Sequence, residues 1–166
     1  GQLKISYNAD TGSHKEWDDV VSNRINNVMG NNKACVGGPV GTFADFRSQV
    51  STQKLTGAWR PGWQMDYPLI QNFLQPLYYT NAPSNDGKWS NQKFDDLVDK
   101  DNAESDKAKA VTTFQDAEKV LVEQMPVIPL WYQNGSAGYS DRVEDVSLNP
   151  FSVPVYEQIQ VKWPAE

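Results

Sequence analysis

The sequence predicts an α/β fold. Strand-like and helix-like segments interleave along the whole chain. The strand-like segments at both ends alternate apolar and polar residues, and the helix-like ones between them carry apolar residues at helical spacing. No internal repeat and no low-complexity linker interrupts this order, so residues 1–166 read as a single domain. A chain of this size buries about 70% of the surface its unfolded form exposes, enough for a core without disulfide or metal. Gly1-Gln2 lead straight into a strand-like segment, as at a cut in a longer chain rather than at a natural start.

The elements follow in order. Leu3, Ile5 and Tyr7 alternate with polar residues, the period of a half-buried strand. Ser13 and Glu16 fit a capping box, in which each side chain satisfies the other's free backbone donor. Trp17, Val20, Val21, Ile25 and Val28 continue at helical spacing, and Gly30 supplies the stop. Residues 33–41 are glycine-rich and read as strand plus turn. Residues 42–54 form a helix with Thr42 and Asp45 as caps and Phe43, Phe46 and Val50 on one face. Residues 55–59 form a strand that Arg60-Pro61-Gly62 ends.

Leu69, Ile70, Phe73, Leu74 and Leu77 mark a helix, with Pro76 near its end. Residues 81–90 are a polar loop, and Phe94, Leu97 and Val98 sit on a short acidic helix. Residues 106–124 make a longer helix with Val111, Phe114, Leu121 and Val122 facing inward. After Met125-Pro126, Val127, Ile128, Leu130 and Trp131 are expected as a buried strand. Residues 143–163 are strand-like again, and Ile159, Val161 and Trp163 alternate.

Charge and rare residues narrow the function. Fifteen Lys+Arg stand against 21 Asp+Glu, a net charge of −6, so there is no basic face to track nucleic-acid phosphates. Cys35 is the only cysteine and His14 the only histidine, which removes an intrachain disulfide and a thiolate cluster and leaves little support for a metal site or a Cys–His pair. The acidic stretch from Asp95 to Asp106 fails as a calcium loop, because the sixth position counted from Asp99 is Glu104 where glycine is required. It reads as a solvated helix face. Gly37-Gly38 lacks the frame of a phosphate loop, and Asn134-Gly135-Ser136 matches a glycosylation sequon only by pattern. No apolar run approaches the ~20 residues of a membrane span. No catalytic constellation, metal or cofactor is expected.

The densest functional signal is Trp59-Arg60-Pro61-Gly62-Trp63-Gln64-Met65-Asp66-Tyr67-Pro68, at a strand-to-helix junction. In open α/β sheets, ligands bind beyond the strand ends. Two indoles with one fixed carboxylate suit an apolar ligand that carries a cationic end. The plainer reading makes Asp66 the cap of a helix starting at Tyr67, with the tryptophans in the core. The two are compatible, since a capping carboxylate still presents an oxygen outward.

Taken in order, Trp63-Gln64-Met65-Asp66-Tyr67-Pro68, Phe73-Leu74, Trp89-Ser90-Asn91, Phe94-Asp95-Asp96-Leu97-Val98, Ala117-Glu118-Lys119-Val120-Leu121 and Met125-Pro126-Val127-Ile128-Pro129-Leu130-Trp131 resemble the bacterial oligopeptide- and dipeptide-binding proteins, extracellular solute-binding protein family 5. The resemblance covers essentially the whole chain. It implies one lobe of a type II periplasmic-binding-protein-like fold, with a mixed sheet flanked by helices. It also implies a role as the C-terminal lobe of an extracytoplasmic peptide receptor, in the periplasm or as a cell-surface lipoprotein. Its partners would be a peptide with a free amino terminus, the N-terminal lobe of the same protein and the ABC permease in the membrane.

By the same resemblance Asp66 pairs with the ligand's α-ammonium, Trp63 packs on its first residues, and Arg60 is a secondary contact. Gln64 and Met65 line the cleft between the matched positions. Rival readings are an oligosaccharide stacked on Trp59, Trp63 and Trp89, a nickel-type ligand, and a hydrolase lobe that would need a second carboxylate beside Asp66. The retained Asp66 favours the peptide.

Overall fold

The computed structural model describes residues 1–132 and 134–162. The chain divides into two compact units, Gly1–Trp63 and Gln64–Glu166. The α/β class holds, with parallel strands in the first unit and an antiparallel pair in the second.

In the first unit, β1 (Leu3–Asn8), β2 (Cys35–Val40) and β3 (Ala58–Trp59) form a parallel sheet in the order β2-β1-β3. Ile5 and Tyr7 of the central strand are buried as their alternation predicts, but so are Ser6 and Asn8. A central strand flanked on both sides has no solvent face to give its polar positions. β1 registers Ile5 against Gly37 of β2 and against Ala58 of β3.

Helix α1 (His14–Met29) links β1 to β2 and ends at Gly30, whose φ of 60° is the left-handed conformation that glycine takes without a Cβ penalty. The capping box does not form: Ser13 makes no side-chain cap bond. Nor is the valine stripe the buried face, because Val20 and Val28 are 69% and 71% exposed. The face turned inward carries Asp18 and Ser22 instead.

Ser22 Oγ lies 3.4 Å from Cys35 Sγ, and Asn26 grips the same residue from one turn further on. Its Oδ1 accepts the Cys35 N–H at 2.7 Å and its Nδ2 donates to the Cys35 carbonyl at 3.0 Å. A side-chain amide thereby completes the hydrogen bonding at the start of an edge strand. Helix α2 (Phe43–Ser51) is capped as expected, with the Thr42 hydroxyl accepting from the Asp45 N–H at 3.1 Å. Phe46 and Val50 are buried, whereas Phe43, expected beside them, is 52% exposed in the first turn.

In the second unit, α3 (Gln71–Tyr78), α4 (Gln92–Asn102) and α5 (Lys107–Gln124) supply the core. Leu74, Phe94, Val98, Phe114, Ala117, Val120 and Leu121 pack together, with Trp89 and Tyr78 against them. Trp89 meets Phe94 edge-on at 5.1 Å between ring centroids. Asn91 caps α4 by accepting from Phe94 N–H, and Asp106 caps α5 by accepting from Ala108 and Lys109.

Val111 and Val122 of α5 face solvent rather than the core. Ala117 and Thr113 hold the inward positions, where small side chains let α4 approach. The buried strand expected at 127–131 does not form: the segment is irregular and Ile128, Leu130 and Trp131 are 70%, 54% and 57% exposed. The segment belongs to neither of the two sheets among the described residues, and an extended stretch outside a sheet is not a buried strand. The strand-like tail resolves into the antiparallel pair β4 (Val143–Glu144) and β5 (Gln160–Val161) around a short turn of 3-10 helix at Tyr156–Gln158. Trp163, expected in the same alternation, lies outside the described residues.

Candidate ligand-binding segment

The candidate segment runs from the end of β3 to the start of α3, and the boundary between the two units falls within it. Arg60 and Trp63 belong to the first unit; Gln64, Met65 and Asp66 belong to the second.

In the first unit, the Arg60 N–H donates to the Ser6 carbonyl at 2.9 Å, extending the β1–β3 pairing by one residue beyond the strand. This sets Arg60 at the carboxyl ends of the parallel strands, where α/β sheets place ligands. The side chain is half-buried, and burial pulls its guanidinium below the usual arginine range. A Cβ on Gly62 would lie 3.6 Å from Arg60 Nη2, so the guanidinium folds back over the glycine that follows Pro61.

His14, in the first turn of α1, is held below the usual imidazole range first by burial and then by the Arg60 charge, with Asp10 opposing. Asp10 itself is held below the usual carboxylate range by hydrogen bonds from Asn8 and from the Phe43 N–H. Its two oxygens tie the end of β1 to the start of α2, with Asn8 Nδ2 at 2.8 Å and Phe43 N at 2.9 Å. The loops at this end of the sheet are therefore fixed by polar bonds. Trp63 is 37% exposed, which rules out the fully buried ring of the plainer reading.

In the second unit, Asp66 is exposed and does not cap a helix at Tyr67, because α3 begins five residues later at Gln71. Asn72 holds it instead. The Asp66 N–H donates to Asn72 Oδ1 at 2.7 Å, and Asn72 Nδ2 donates to Asp66 Oδ2 at 3.2 Å. Asn72 is only 5% exposed, so the buried amide carries an exposed carboxylate. Asp66 Oδ1 has no hydrogen-bond partner among the described residues and remains open to a donor.

The Gln64 side-chain amide donates to the Phe151 carbonyl, tying the segment to the irregular tail. Met65 is half-buried. Beside Asp66, Tyr67 Oη donates to Gln71 Oε1 at 2.5 Å, and Gln71 Nε2 reaches Asn102 Oδ1 at 3.1 Å, joining the loop to the end of α4.

Sequence reasoning missed Asn72. The available signal was an amide side chain in the middle of the apolar row Leu69, Ile70, Phe73 and Leu74, where a buried polar group needs a named partner. Among the described residues no group of histidine, cysteine and carboxylate side chains is placed to hold a metal.

The Arg60 loop thus leaves the parallel sheet at the carboxyl end of β3, and comparison with known proteins shows what the chain is similar to. No protein-family model matches the chain. The chain is a relative of bacterial peptide-binding proteins. It is 31% identical over 96 residues to the oligopeptide-binding protein OppA of Bacillus subtilis, covering 57% of this chain and 16% of that protein. It is 21% identical over 150 residues to the dipeptide-binding protein DppE of the same organism, covering 90% of this chain and 26% of that protein. Heme-binding protein A of Haemophilus influenzae is 28% identical over 121 residues, covering 72% of this chain and 22% of that protein.

The solved structure of Haemophilus influenzae OppA in complex with the peptide RPPGFSPFR superposes with a TM-score of 0.83 at 15% identity, over 98% of this chain and 31% of that one. The fold is thus periplasmic-binding-protein-like, as the resemblance implied. The chain spans less than a third of the length of each of these proteins.

Proposed function

We propose that this chain is the C-terminal, substrate-binding lobe of an extracytoplasmic oligopeptide-binding protein that delivers peptides to an ABC importer. The observation that carries the reading is the exposed Asp66 carboxylate, held on a buried amide with one oxygen open, in a relative of peptide-binding proteins. Asp66 receives the α-ammonium of the peptide. Trp63 contacts the first residues of the ligand, Arg60 offers a second, cationic contact, and Gln64 and Met65 line the cleft. The rest of the binding surface belongs to the N-terminal lobe of the same protein.

The role is capture and release, with no covalent chemistry and no cofactor. No helix among the described residues is long and apolar enough to cross a membrane. Closure of the two lobes on a peptide would present the closed form to the permease.

Binding energetics fit this division of labour. A carboxylate–ammonium pair 4 Å apart is worth about 1 kcal/mol in water and about 4 kcal/mol at an effective dielectric of 20. Closure supplies the lower dielectric, so the discrimination in favour of a free amine is set in the closed state. The heme-binding relative favours a second reading, a heme ligand, whose anionic propionates would gain nothing from the carboxylate of Asp66.

The deciding experiment is calorimetric titration of the full-length protein and its Asp66→Asn variant with a pool of tripeptides, free or acetylated at the amino end. The peptide reading expects binding of the free-amine pool to weaken roughly tenfold to a thousandfold in Asp66→Asn, matching the loss caused by acetylation. Equal binding of both pools, or no effect of the variant, overturns it.

A further inference from the structure

We infer that Asn72 is the positioning residue of the Asp66 anchor, a role that rests on the peptide-binding reading. Asn72 occupies the second position of α3 and is 5% exposed. Its carboxamide closes a ring on Asp66, accepting the backbone N–H at 2.7 Å and donating to Oδ2 at 3.2 Å. One bond fixes where the main chain of Asp66 sits, and the other fixes how its side chain is turned. The second bond occupies Oδ2, while Oδ1 accepts no hydrogen bond among the described residues. An aspartate in an exposed loop otherwise samples several rotamers. A carboxylate ordered before the ligand arrives does not lose that freedom on binding.

The chemistry of the amide is specific to this task. Only a side chain with an acceptor and a donor on one planar group can serve both the N–H and the carboxylate. Aspartate at position 72 keeps the shape and the acceptor, but replaces the donor with a second negative charge facing Oδ2. Leucine keeps much of the volume and removes both bonds. Asn72 is anchored independently of its side chain, because its own N–H donates to the Leu69 carbonyl at 3.0 Å in the turn that opens α3.

The test uses the full-length protein and its Asn72→Leu, Asn72→Asp and Asp66→Asn variants, titrated with trialanine and with N-acetyl-trialanine. The Asp66 χ1 distribution in the ligand-free forms is measured from three-bond NMR couplings. A positioning role expects one dominant Asp66 rotamer in the parent and averaged couplings in Asn72→Leu. It also expects a loss of about 2- to 12-fold in affinity for trialanine, with acetylated peptide unaffected. Asn72→Asp should lose at least as much, which keeps the test open if the leucine variant misfolds.

An unchanged rotamer distribution, or equal losses for the free and the acetylated peptide, would make Asn72 a structural residue only and overturn the inference. If Asp66→Asn binds both peptides as the parent does, the ammonium-anchor reading itself has failed. The rotamer measurement then still reports separately on whether Asn72 orders Asp66.

Discussion

Asp18 of α1 occupies the space in which residue 37 of β2 would place a side chain. A Cβ built on Gly37 lies 2.3 Å from Asp18 Oδ2 and 3.4 Å from the ring of Tyr7. The helix can rest on the sheet at this point only because the strand has no Cβ there. Asp18 is 1% exposed, and its Oδ1 has no hydrogen-bond partner among the described residues. Burial therefore pushes its carboxyl above the usual range, with Asp19 adding to the effect and Lys15 opposing it.

Gly37→Ala is expected to destabilise the protein by about 1–3 kcal/mol, the usual cost of overpacking. The strain is local to one pair, so Asp18→Ala should relieve it. Chemical denaturation of the two single variants and the double variant gives the coupling directly. Additive losses would show that the methyl group clashes with something other than Asp18.

Asp101, in the last turn of α4, is 3% exposed, and neither of its carboxylate oxygens has a partner among the described residues. Burial pushes its carboxyl up, and Glu104 adds to the shift. A folded-state value above the unfolded one means that the native state holds the proton longer. Stability contributed by this site is then greatest at acid pH and falls as pH rises from the unfolded value through the raised one. Asp101→Ala should consequently raise the melting temperature more at pH 7.5 than at pH 4, by an amount that corresponds to about 1–3 kcal/mol for one uncompensated buried group. Melting curves at the two pH values check it, and a larger gain at pH 4 would contradict the sign.

Asn85 is buried inside the polar loop that precedes α4. Its Nδ2 donates to the carbonyls of Tyr79 at 3.0 Å and Trp89 at 2.7 Å, and its Oδ1 accepts the Trp89 N–H at 3.1 Å. The loop is closed by one side chain, which also seats Trp89 against Phe94. Asn85→Ala should cost about 1–3 kcal/mol by leaving buried backbone groups unpaired. It should also release Trp89, read as a red shift of tryptophan emission in the native state. Loss of stability without a change in emission would separate the clamp from the packing.

The sequence showed the alternation of strands and helices, the Gly30 stop, the Thr42 cap and the core positions Phe46, Val50, Phe94 and Phe114, because each depends on short-range pattern or on large apolar residues. Polar burial was illegible. Asp18, Ser22, Asn72 and Asn85 are buried, and Asn26 clamps Cys35, but residue type and helical spacing alone do not separate them from surface polar residues; only for Asn72 did the surrounding apolar row offer a signal. The valines at 20, 28, 111 and 122 misled for the complementary reason: apolar spacing marks a helix face but does not say whether anything lies against it. At the candidate segment, composition singles out the stretch from Arg60 to Asp66 but does not say what holds it. The role of Asn72 is visible only once the loop has folded back on α3.

Cys35 is 1% exposed, enclosed by Ser22 and gripped on both sides of its peptide by Asn26. As the sole thiol of the chain, it gives every modification event a single address. A thiol reagent can reach it only when α1 lifts from β2, so the rate of its labelling in native buffer measures how often that layer of the sheet opens. The molecule therefore carries its own kinetic reporter for the first unit. Comparing labelling rates with and without bound peptide would reveal whether ligand capture slows the breathing of a helix remote from Asp66 in sequence.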